Sequence, residues 1–387
     1  MILKVIIVLK NLIKRIVRRA FWMFCTLLPV KKDKIIFQSY YGRAYSDNPK
    51  YIAEKLIEKR DDIDLVWVTN GIENPNTPKP FRVVRFHSLR YIYEMSTARV
   101  WVDNCRKDYC RKKRTQYYMQ TWHGGFTLKK VERSVESELE SNYVRQAKRD
   151  ASQTDVMLSN CNALTKVYRE DFWYEKGEIL QHGLPRNDRL FTFSDNEIGK
   201  IKNALGISED LHFLLYAPTF RKSLGLDSYS LDYERCCKAL KKRFGGSWKI
   251  MLKLHPNIFA AADHVKFDER FVINVSHYPD IQELYMISDF LITDYSSVIF
   301  DFALLKRRAM FYADDIADYM TDRGFYISLF DFPFPVSQNN RELEDKILNF
   351  NDEQYFNELI AFLKEQNFTE TGDASQAAVD WILAHMK

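Results

Sequence analysis

Phe290-Leu-Ile-Thr-Asp-Tyr-Ser-Ser-Val-Ile-Phe-Asp-Phe-Ala-Leu-Leu305 is the stretch that decides the fold. Its opening apolar residues predict a short buried strand, and Val298 to Leu305 predicts an apolar helix. A polar break, Thr293 to Ser297, separates the two. A strand, a Ser-rich turn and a helix in this order are typical of the half of a βαβ unit that binds ligands.

The Ser-rich turn is a candidate phosphate site. Ser296 and Ser297 are favoured N-cap residues, whose hydroxyls can accept from N–H groups of the first helical turn. The remaining N–H groups and the positive end of the helix dipole attract an anion. The alternative is an ordinary strand-to-helix junction, and the choice depends on what the other strand ends carry.

The same alternation of apolar runs and helical stretches continues along the chain. Predicted strands lie at 34–39, 65–69, 83–86, 99–102 and 117–122, and after about residue 195 at 213–217, 249–254, 271–275, 290–293 and 309–312. This rhythm predicts parallel sheets covered by helices on both faces. We expect an α/β fold of two doubly wound, Rossmann-like domains facing a cleft, residues 31–195 and 196–387, with a terminal helix that packs back onto the body.

Residues 1–30 differ in character from the rest. They carry six Lys/Arg and no acidic residue, and the cations interrupt every apolar window long enough to span a bilayer. At about 100° per residue the cations face one side of a helix and the aliphatic residues face the other. The pattern predicts an amphipathic helix on an anionic inner-membrane surface, and hence a peripheral protein of the cytoplasmic face. The alternative is a helix docked on the protein's own core.

Charge and cysteine content narrow the class of protein. The net charge is +5, and leaving out the six cations of residues 1–30 brings the remainder to −1. A body of that charge is not expected to bind nucleic acid. The six cysteines form neither a C-x-x-C pair nor a His-spaced zinc pattern, so we expect reduced thiols in the cytosol.

A histidine follows one of the predicted strands, where ligands of such sheets bind. After the strand at 117–122 come His123, Gly124 and Gly125. Glycines let the backbone approach a ligand closely. With an ordinary pKa near ~6.5, His123 can accept a hydroxyl proton near neutral pH. A hydrogen-bonded structural histidine is the alternative.

Other strand ends and turns bring positive and hydrogen-bonding groups. The candidates are Arg186 in the turn opened by Pro185, Thr219 and Arg221 after one strand, His255 after another, and Arg323 further on. Taken singly, each is as typical of a solvated loop. Together with the Ser-rich turn they suit a ligand that carries a pyrophosphate.

Absent motifs narrow the function further. No G-x-G-x-x-G follows a strand and no G-x-x-x-x-G-K-[ST] occurs, which argues against dinucleotide-dependent enzymes and excludes P-loop NTPases. The Asp-x-Asp at Asp62-Ile-Asp64 precedes its strand instead of following it. We therefore expect no metal and no cofactor, with fixed positive groups in place of Mg²⁺.

Several blocks of sequence together carry a family resemblance. They are Gln120-Thr-Trp-His-Gly124 with Leu128-Lys-Lys130, Pro185-Arg-Asn-Asp188, Tyr216-Ala-Pro-Thr-Phe-Arg221, 280–289, 293–307 and Arg323-Gly-Phe-Tyr326. In these blocks the chain resembles the CDP-glycerol glycerophosphotransferase family, the teichoic-acid primases and polymerases of Gram-positive bacteria, with relatives in capsule synthesis. The resemblance implies a GT-B fold and transfer of glycerol phosphate from CDP-glycerol to a hydroxyl of a lipid-linked (undecaprenyl) glycan or polyol-phosphate acceptor, with release of CMP. The resemblance does not decide whether the protein forms a homo-oligomer.

Roles for the candidate residues follow from this resemblance. The catalytic histidines are His123, as general base, and His255. Acceptor-side residues are Gly124, Gly125 and Lys129. The residues that bind the phosphates and the nucleotide of the donor are Arg186, Thr219, Arg221, Thr293, Asp294, Ser296, Ser297 and Arg323.

Departures from the family pattern keep rival functions open. The chain has Gly125-Phe-Thr127 where the family often has Thr-Pro, and His255-Pro256 where polymerases commonly have His-Tyr. These differences bear on the acceptor and on the polyol, so CDP-ribitol is an alternative donor. A GT-B glycosyltransferase that uses a nucleotide sugar is the nearest rival, and a non-catalytic scaffold of a polysaccharide assembly complex is a rival of another class.

Overall fold

The computed structural model describes residues 2–71, 80–107, 111–207, 210–219, 230–254, 267–316 and 324–387, with side chains from residue 13 onward. Its helices and strands alternate along the chain, as the apolar rhythm of the sequence predicts. The α-helices are α1 (Ile2–Thr26), α2 (Asp47–Lys59), α3 (Leu89–Thr97), α4 (Ser141–Gln153), α5 (Asn162–Glu170), α6 (Asp195–Ala204), α7 (Tyr233–Phe244), α8 (Ile281–Ile287), α9 (Val298–Ala303), α10 (Asn340–Leu348), α11 (Asp352–Glu365) and α12 (Ala374–Met386).

The first domain contains a sheet of parallel strands. They are β1 (Lys31–Gln38), β2 (Asp64–Thr69), β3 (Arg82–Arg85), β4 (Ala98–Asp103), β5 (Tyr117–Gln120), β6 (Val156–Ser159) and β7 (Glu178–Gln181). Their spatial order is β3-β2-β1-β4-β5-β6-β7, and every neighbouring pair is parallel.

The second domain repeats the arrangement. Its strands are β8 (Leu211–Tyr216), β9 (Ser247–Leu252), β10 (Val272–Asn274), β11 (Phe290–Thr293), β12 (Arg308–Tyr312) and β13 (Val336–Ser337). They run parallel in the order β10-β9-β8-β11-β12-β13. The prediction of two α/β domains with parallel sheets is confirmed.

Three strands of the structure were not predicted from the sequence. β6, β7 and β13 are only four, four and two residues long. Runs this short carry no periodicity that separates a strand from a loop. The predicted strands otherwise match within a few residues. The helix after the Ser-rich turn ends at Ala303, before the predicted Leu305, because Lys306 adopts a left-handed backbone with φ of 50°.

The strand order reverses at one point in each sheet. In the first sheet this point lies between β1 and β4, and in the second it lies between β8 and β11. At such a switch point the two flanking loops leave the sheet in opposite directions and open a crevice at the carboxyl ends of the strands. Each domain therefore has one position where a ligand is expected.

The N-terminal helix α1 has two different ends. Near its C-terminus, Phe21, Trp22 and Cys25 join a hydrophobic cluster with Tyr91 and Met95 of the first domain. Other apolar side chains in its described part face outward, with exposures of 47–59% for Ile13, Ile16, Val17 and Phe24. No helix among the described residues combines the length and the apolarity needed to cross a bilayer.

The C-terminal helix α12 packs on the first sheet although the chain reaches it from the second domain. Ala378, Val379, Trp381 and Ile382 are buried in one cluster with residues of β1, β4 and α2. Asp188 accepts hydrogen bonds from the N–H groups of Ala374 and Ser375, at 3.0 and 2.7 Å, and so satisfies donors at the start of α12.

Candidate active site

A cleft of about 1160 Å³ lies between the two domains. Its first-domain wall includes Tyr40, Arg43 and His123, from the loops that follow β1 and β5. Its second-domain wall includes Lys253 after β9 and Ser297 after β11. Both walls thus come from the carboxyl ends of parallel strands, where doubly wound domains bind their ligands.

His123 lines this cleft and is oriented by a backbone oxygen. Its Nδ1 lies 2.8 Å from the carbonyl oxygen of Asn104. Because a carbonyl oxygen can only accept, Nδ1 carries the proton, and the neutral imidazole keeps its lone pair on Nε2. The hydrogen bond therefore selects the tautomer in which Nε2 can act as a base.

The surroundings of His123 favour the neutral ring. Burial lowers the pKa of His123 below its ordinary value, and the hydrogen bond to Asn104 and the charge of Asp47 oppose this only in part. Trp122 stacks beside the imidazole with ring centroids 4.3 Å apart. The ring is nevertheless partly accessible from the cleft. A neutral, accessible imidazole can take a proton from a substrate near pH 7.

The switch-point crevice of the first sheet supports His123. Asn104 follows β4, and its side-chain oxygen accepts from the backbone N–H of Tyr40 at 2.8 Å. Its side-chain nitrogen donates to Asp47 at 2.9 Å and to Ser39 at 3.2 Å. These contacts hold the residue whose carbonyl orients His123, so the crevice is a rigid support for the ring.

Arg186 bridges the two domains. Its Nη1 donates to Asp47 and to the backbone oxygen of His123, both at 3.0 Å, and its Nε donates to Asp301 at 3.0 Å. The side chain is buried, and carboxylates from α2 and α9 neutralise its charge. Arg186 therefore links the base loop to the second domain. Its predicted contact with the donor phosphates stays a prediction.

Thr219 and Asp294 meet at the switch point of the second sheet. Asp294 accepts hydrogen bonds from the backbone N–H of Thr219, at 2.9 and 3.0 Å, and from its hydroxyl, at 2.9 Å. Thr293 is fully buried and donates to the carbonyl oxygen of Ala217 at 2.6 Å. These contacts tie the loop after β8 to the loop after β11, so the structure gives Thr293 and Asp294 supporting contacts within the protein.

The predicted phosphate turn reaches the cleft through Ser297 and Val298. Ser297 occupies the N-cap position of α9, yet its side chain makes no capping hydrogen bond. Ser296 instead accepts a long hydrogen bond of 3.5 Å from the N–H of Val298. The turn faces the cleft as predicted, and its contact with phosphate stays a prediction.

The predicted acceptor-side residues have different positions. Gly125 is buried, and a Cβ added to it would lie 3.1 Å from Asp301. Lys129 pairs with Phe325 in an antiparallel bridge between the domains. Gly124 has more room, because an added Cβ would meet nothing closer than Trp122 at 3.5 Å. Gly125 and Lys129 thus lie at the domain junction, and their contact with an acceptor stays a prediction.

Arg221, His255 and Arg323 lie outside the described residues, so their predicted roles stay predictions. Within the described ranges, no group of three His, Cys, Asp or Glu side chains is arranged to hold a metal ion.

Lys253 is a cleft residue that was not predicted from the sequence. Its ammonium group lines the cleft and donates to the backbone oxygens of Ser276 and Tyr278, at 2.6 and 2.5 Å. Burial lowers the pKa of Lys253 to about 8. Lys253 could have been predicted from its place directly after a strand, two positions before His255. Residues at the ends of parallel strands face the crevice in which ligands bind.

Asp280 was also not selected, although it lies in one of the blocks that carry the family resemblance. It accepts from Lys50 at 2.6 Å and from the hydroxyl of Tyr51 at 2.7 Å, so it joins α2 of the first domain to α8 of the second. The same carboxylate lines the cleft. No local pattern could indicate this contact, because its partners lie 230 and 229 positions away in the sequence.

A comparison with protein families gives one match. The family model described as CDP-Glycerol:Poly(glycerophosphate) glycerophosphotransferase matches residues 20–384. This range includes both sheets and the whole cleft.

Curated relatives and solved structures agree with that match. The teichoic acid glycerol-phosphate transferase of Staphylococcus aureus is 33% identical and aligns over 95% of this chain and 98% of its own length. The teichoic acid poly(glycerol phosphate) polymerase of Staphylococcus epidermidis is also 33% identical over 92% of this chain, which spans only 51% of that relative. A structure of the wall teichoic acid polymerase TagF, in a variant soaked with CDPG, has a TM-score of 0.86 at 31% identity, covering 98% of this chain and 96% of that one.

Proposed function

Because the chain belongs to the CDP-glycerol:poly(glycerophosphate) glycerophosphotransferase family, we propose that it transfers glycerol phosphate from CDP-glycerol to a hydroxyl of a lipid-linked acceptor in teichoic acid synthesis. The observation that carries the proposal is His123, whose hydrogen bond to Asn104 leaves Nε2 as a base in the cleft. Two Rossmann-like domains that face one cleft correspond to the GT-B architecture, which we infer for this chain.

The reaction is a phosphoryl transfer between two oxygens. Nε2 of His123 accepts the proton of the acceptor hydroxyl, and the hydroxyl oxygen attacks the phosphorus that bears the glycerol. A new P–O bond forms while the bond from that phosphorus to the bridging oxygen breaks. The bridging oxygen keeps the electron pair and leaves as part of CMP. Such loose transition states are stabilised mainly by positioning and by fixed positive charge.

The donor in this proposal is held by the second domain. Ser296 and Ser297 at the start of α9 face the diphosphate, together with Arg221, His255 and Arg323. Support comes from the position of Ser297 on the cleft wall opposite His123. Lys253 adds a positive charge on the same wall.

Helix α1 is the membrane-binding element in this proposal. Its outward aliphatic face is not covered by the described part of the chain, with Ile13 56% and Ile16 59% exposed. Cations along the same helix would interact with anionic lipid headgroups, at about 1 kcal/mol for each Lys or Arg near the surface. The enzyme would then meet a lipid-linked acceptor at the cytoplasmic face of the membrane.

The donor is tested by supplying labelled CDP-glycerol, CDP-ribitol and UDP-sugars with a lipid-linked acceptor and measuring nucleotide release. We expect CMP from CDP-glycerol and glycerol phosphate on the acceptor by mass spectrometry. Preferential use of CDP-ribitol would reassign the polyol, and UDP release would make the protein a glycosyltransferase. A protein that binds no nucleotide, judged by an unchanged melting temperature, would fit the scaffold alternative.

The membrane role is tested by flotation with anionic and neutral vesicles. Replacing Ile13, Ile16 and Val17 by Ser should release the protein from anionic vesicles, because these residues form part of the exposed aliphatic face. The matched control replaces Val83 and Ile360, which are 50% exposed outside α1, and should float as the unaltered protein does. Equal flotation of both variants would exclude α1 as the anchor.

A further inference from the structure

The cleft is lined by five basic side chains: Arg43, Arg106, Lys130, Arg186 and Lys253. Carboxylates meet two of these charges, since Arg106 pairs with Glu132 and Asp150 and Arg186 pairs with Asp47 and Asp301. Lys253 donates to two backbone oxygens. Arg43 and Lys130 are the remaining two of these five residues. Their side chains have no carboxylate partner among the described residues.

The loop that carries Arg43 lies near the base, whereas Lys130 is at the domain junction. The ring of Tyr40, which precedes Arg43 in this loop, has its centroid 5.7 Å from that of His123. Arg43 and His123 both line the cleft. The Lys130 side chain instead approaches Gly324 of the second domain. Arg43 is therefore a cation that shares a loop with Tyr40 beside the base and has no carboxylate partner among the described residues.

The backbone that presents Arg43 is held in an unusual conformation. Tyr40, Tyr41 and Gly42 have consecutive positive φ angles of 46°, 57° and 78°. Gly42 is required, because a Cβ there would lie 2.7 Å from the carbonyl carbon of Thr69. Non-glycine residues in this region cost about 1–3 kcal/mol each and persist where surrounding contacts impose them. Here those contacts include the hydrogen bonds from Tyr40 N to Asn104 and from Asn70 N to the Gly42 oxygen, both at 2.8 Å.

From these observations we propose that Arg43 is a phosphate-binding residue of the acceptor subsite. The guanidinium fork matches the oxygens of a phosphate, and a cation on the same cleft wall as the base faces the end of the acceptor that attacks. The ligand is thus an acceptor that carries a phosphate near its reactive hydroxyl. That phosphate is either a phosphodiester of the growing end or the diphosphate of the lipid carrier. The inference rests on the proposed function, which supplies the acceptor.

The test is steady-state kinetics of Arg43→Ala with CDP-glycerol and a lipid-linked acceptor. We expect the acceptor KM to rise about 10- to 100-fold, the range for loss of one charge-assisted hydrogen bond. The KM for CDP-glycerol should stay within about two-fold. Arg43→Lys should recover part of the loss, because it keeps the charge without the fork. Arg341→Ala is the matched control. Arg341 lies outside the cleft, is exposed, and forms no ion pair among the described residues.

Two further acceptors identify the source of the phosphate. One carries a glycerol phosphodiester on a neutral lipid linker, and the other carries the lipid diphosphate without glycerol phosphate. If Arg43→Ala impairs only the first, Arg43 binds the growing end. If it impairs only the second, Arg43 binds the carrier diphosphate.

Other outcomes overturn the proposal. A rise in the KM for CDP-glycerol would move Arg43 to the donor subsite, and kinetics equal to those of Arg341→Ala would remove it from the site. Failure of the unaltered enzyme to release CMP from CDP-glycerol would instead contradict the proposed function itself. The melting temperature of Arg43→Ala should be unchanged, because the side chain is exposed and makes no ion pair among the described residues.

Discussion

The switch-point crevice of the first sheet and that of the second have the same strand order but different chemistry. In the first, the loops after β1 and β4 hold His123 through Asn104 and expose Tyr40 and Arg43 to the cleft. In the second, the described parts of the loops after β8 and β11 are joined by the hydrogen bonds between Thr219 and Asp294. Among the described residues of the two crevices, a histidine reaches the cleft from the first.

The difference shows that topology selects a position and that side chains decide its use. A parallel sheet opens a crevice wherever its strand order reverses, whatever residues follow the strands. Asn104 offers a backbone oxygen to a histidine, whereas Asp294 takes its donors from the neighbouring loop. In the second domain, Ser297 at the end of the loop after β11 and Lys253 after β9 face the cleft instead. The variants below separate these roles.

The largest effect, a loss of transfer activity, is expected when the proposed base His123 is replaced. His123→Ala should lower the rate of transfer by about 10²–10⁴, the usual contribution of a general base, with little change in CDP-glycerol binding. His123→Asn should behave in the same way, because an amide cannot take the proton. His212→Ala, at an exposed histidine outside the cleft, is the control. A His123→Ala enzyme with unchanged turnover and weakened donor binding would move the histidine to the donor side.

The pH dependence of the unaltered enzyme sharpens the same prediction. Because burial lowers the pKa of His123, the ring becomes protonated and inactive only below the ordinary histidine value of about 6.5. The rate should therefore fall with decreasing pH along a limb centred below that value. Both His123 variants should lack this limb.

A loss of stability is expected for the residue that joins the two crevices. Arg186→Ala would leave the buried carboxylates of Asp47 and Asp301 without their partner. Removing one member of a buried ion pair costs about 3–5 kcal/mol, measurable by denaturant unfolding. Arg133→Ala, which breaks an exposed pair with Glu175, should cost at most about 1 kcal/mol. Weakened donor binding at unchanged stability would instead support the phosphate contact predicted for Arg186.

A pH-dependent change in folding stability is expected from Glu370, which lies where the chain returns from the second domain to the first. Glu370 accepts hydrogen bonds from Asn160, Leu184 and Asn187 at 2.9–3.1 Å, and burial raises its pKa to about 8. In the unfolded chain a glutamate loses its proton near pH 4.3, about the ordinary value. The protonated form thus favours folding, and this contribution is lost as the pH rises from about 4.3 through 8.

Glu370→Gln should therefore stabilise the protein by a few kcal/mol at pH 8 and have little effect near pH 4.5, measured as melting temperature. The side-chain oxygens of Asn160 and Asn187 are buried without a described partner, and the new amide can donate to one of them. Glu365→Gln, at an exposed glutamate, is the control. Equal pH profiles for Glu370→Gln and the unaltered protein would show that Glu370 is ionised in the folded state.

The smallest effect, a modest loss of folding stability, is expected for a substitution in the second crevice. Thr219→Val keeps the shape of the side chain but removes the hydroxyl that donates to Asp294 at 2.9 Å. The loss should be about 1–2 kcal/mol, since a hydrogen bond to a carboxylate is worth about 1.5–3 kcal/mol and two backbone bonds to Asp294 remain. Thr192→Val, at an exposed position, should be neutral. A higher KM for CDP-glycerol at unchanged stability would show that Thr219 contacts the donor directly.

The sequence by itself determined most of the elements and the family, and it selected His123 as the candidate base. Apolar runs and their spacing depend on neighbouring residues only, so most strands and both α/β domains could be predicted. His123 could be selected because it follows a strand and stands before two glycines. The blocks at 120–124 and 293–307 are sufficient to carry the resemblance to the family.

Only the tertiary structure decided which charges are free and which are already paired. Arg186 and Arg43 look alike in the sequence, but Arg186 meets Asp47 and Asp301 across 139 and 115 positions of the chain. The tautomer of His123 likewise depends on the Asn104 carbonyl at the switch point. Such contacts join residues that are distant in the chain, and they exist only once the strand order has placed their loops side by side.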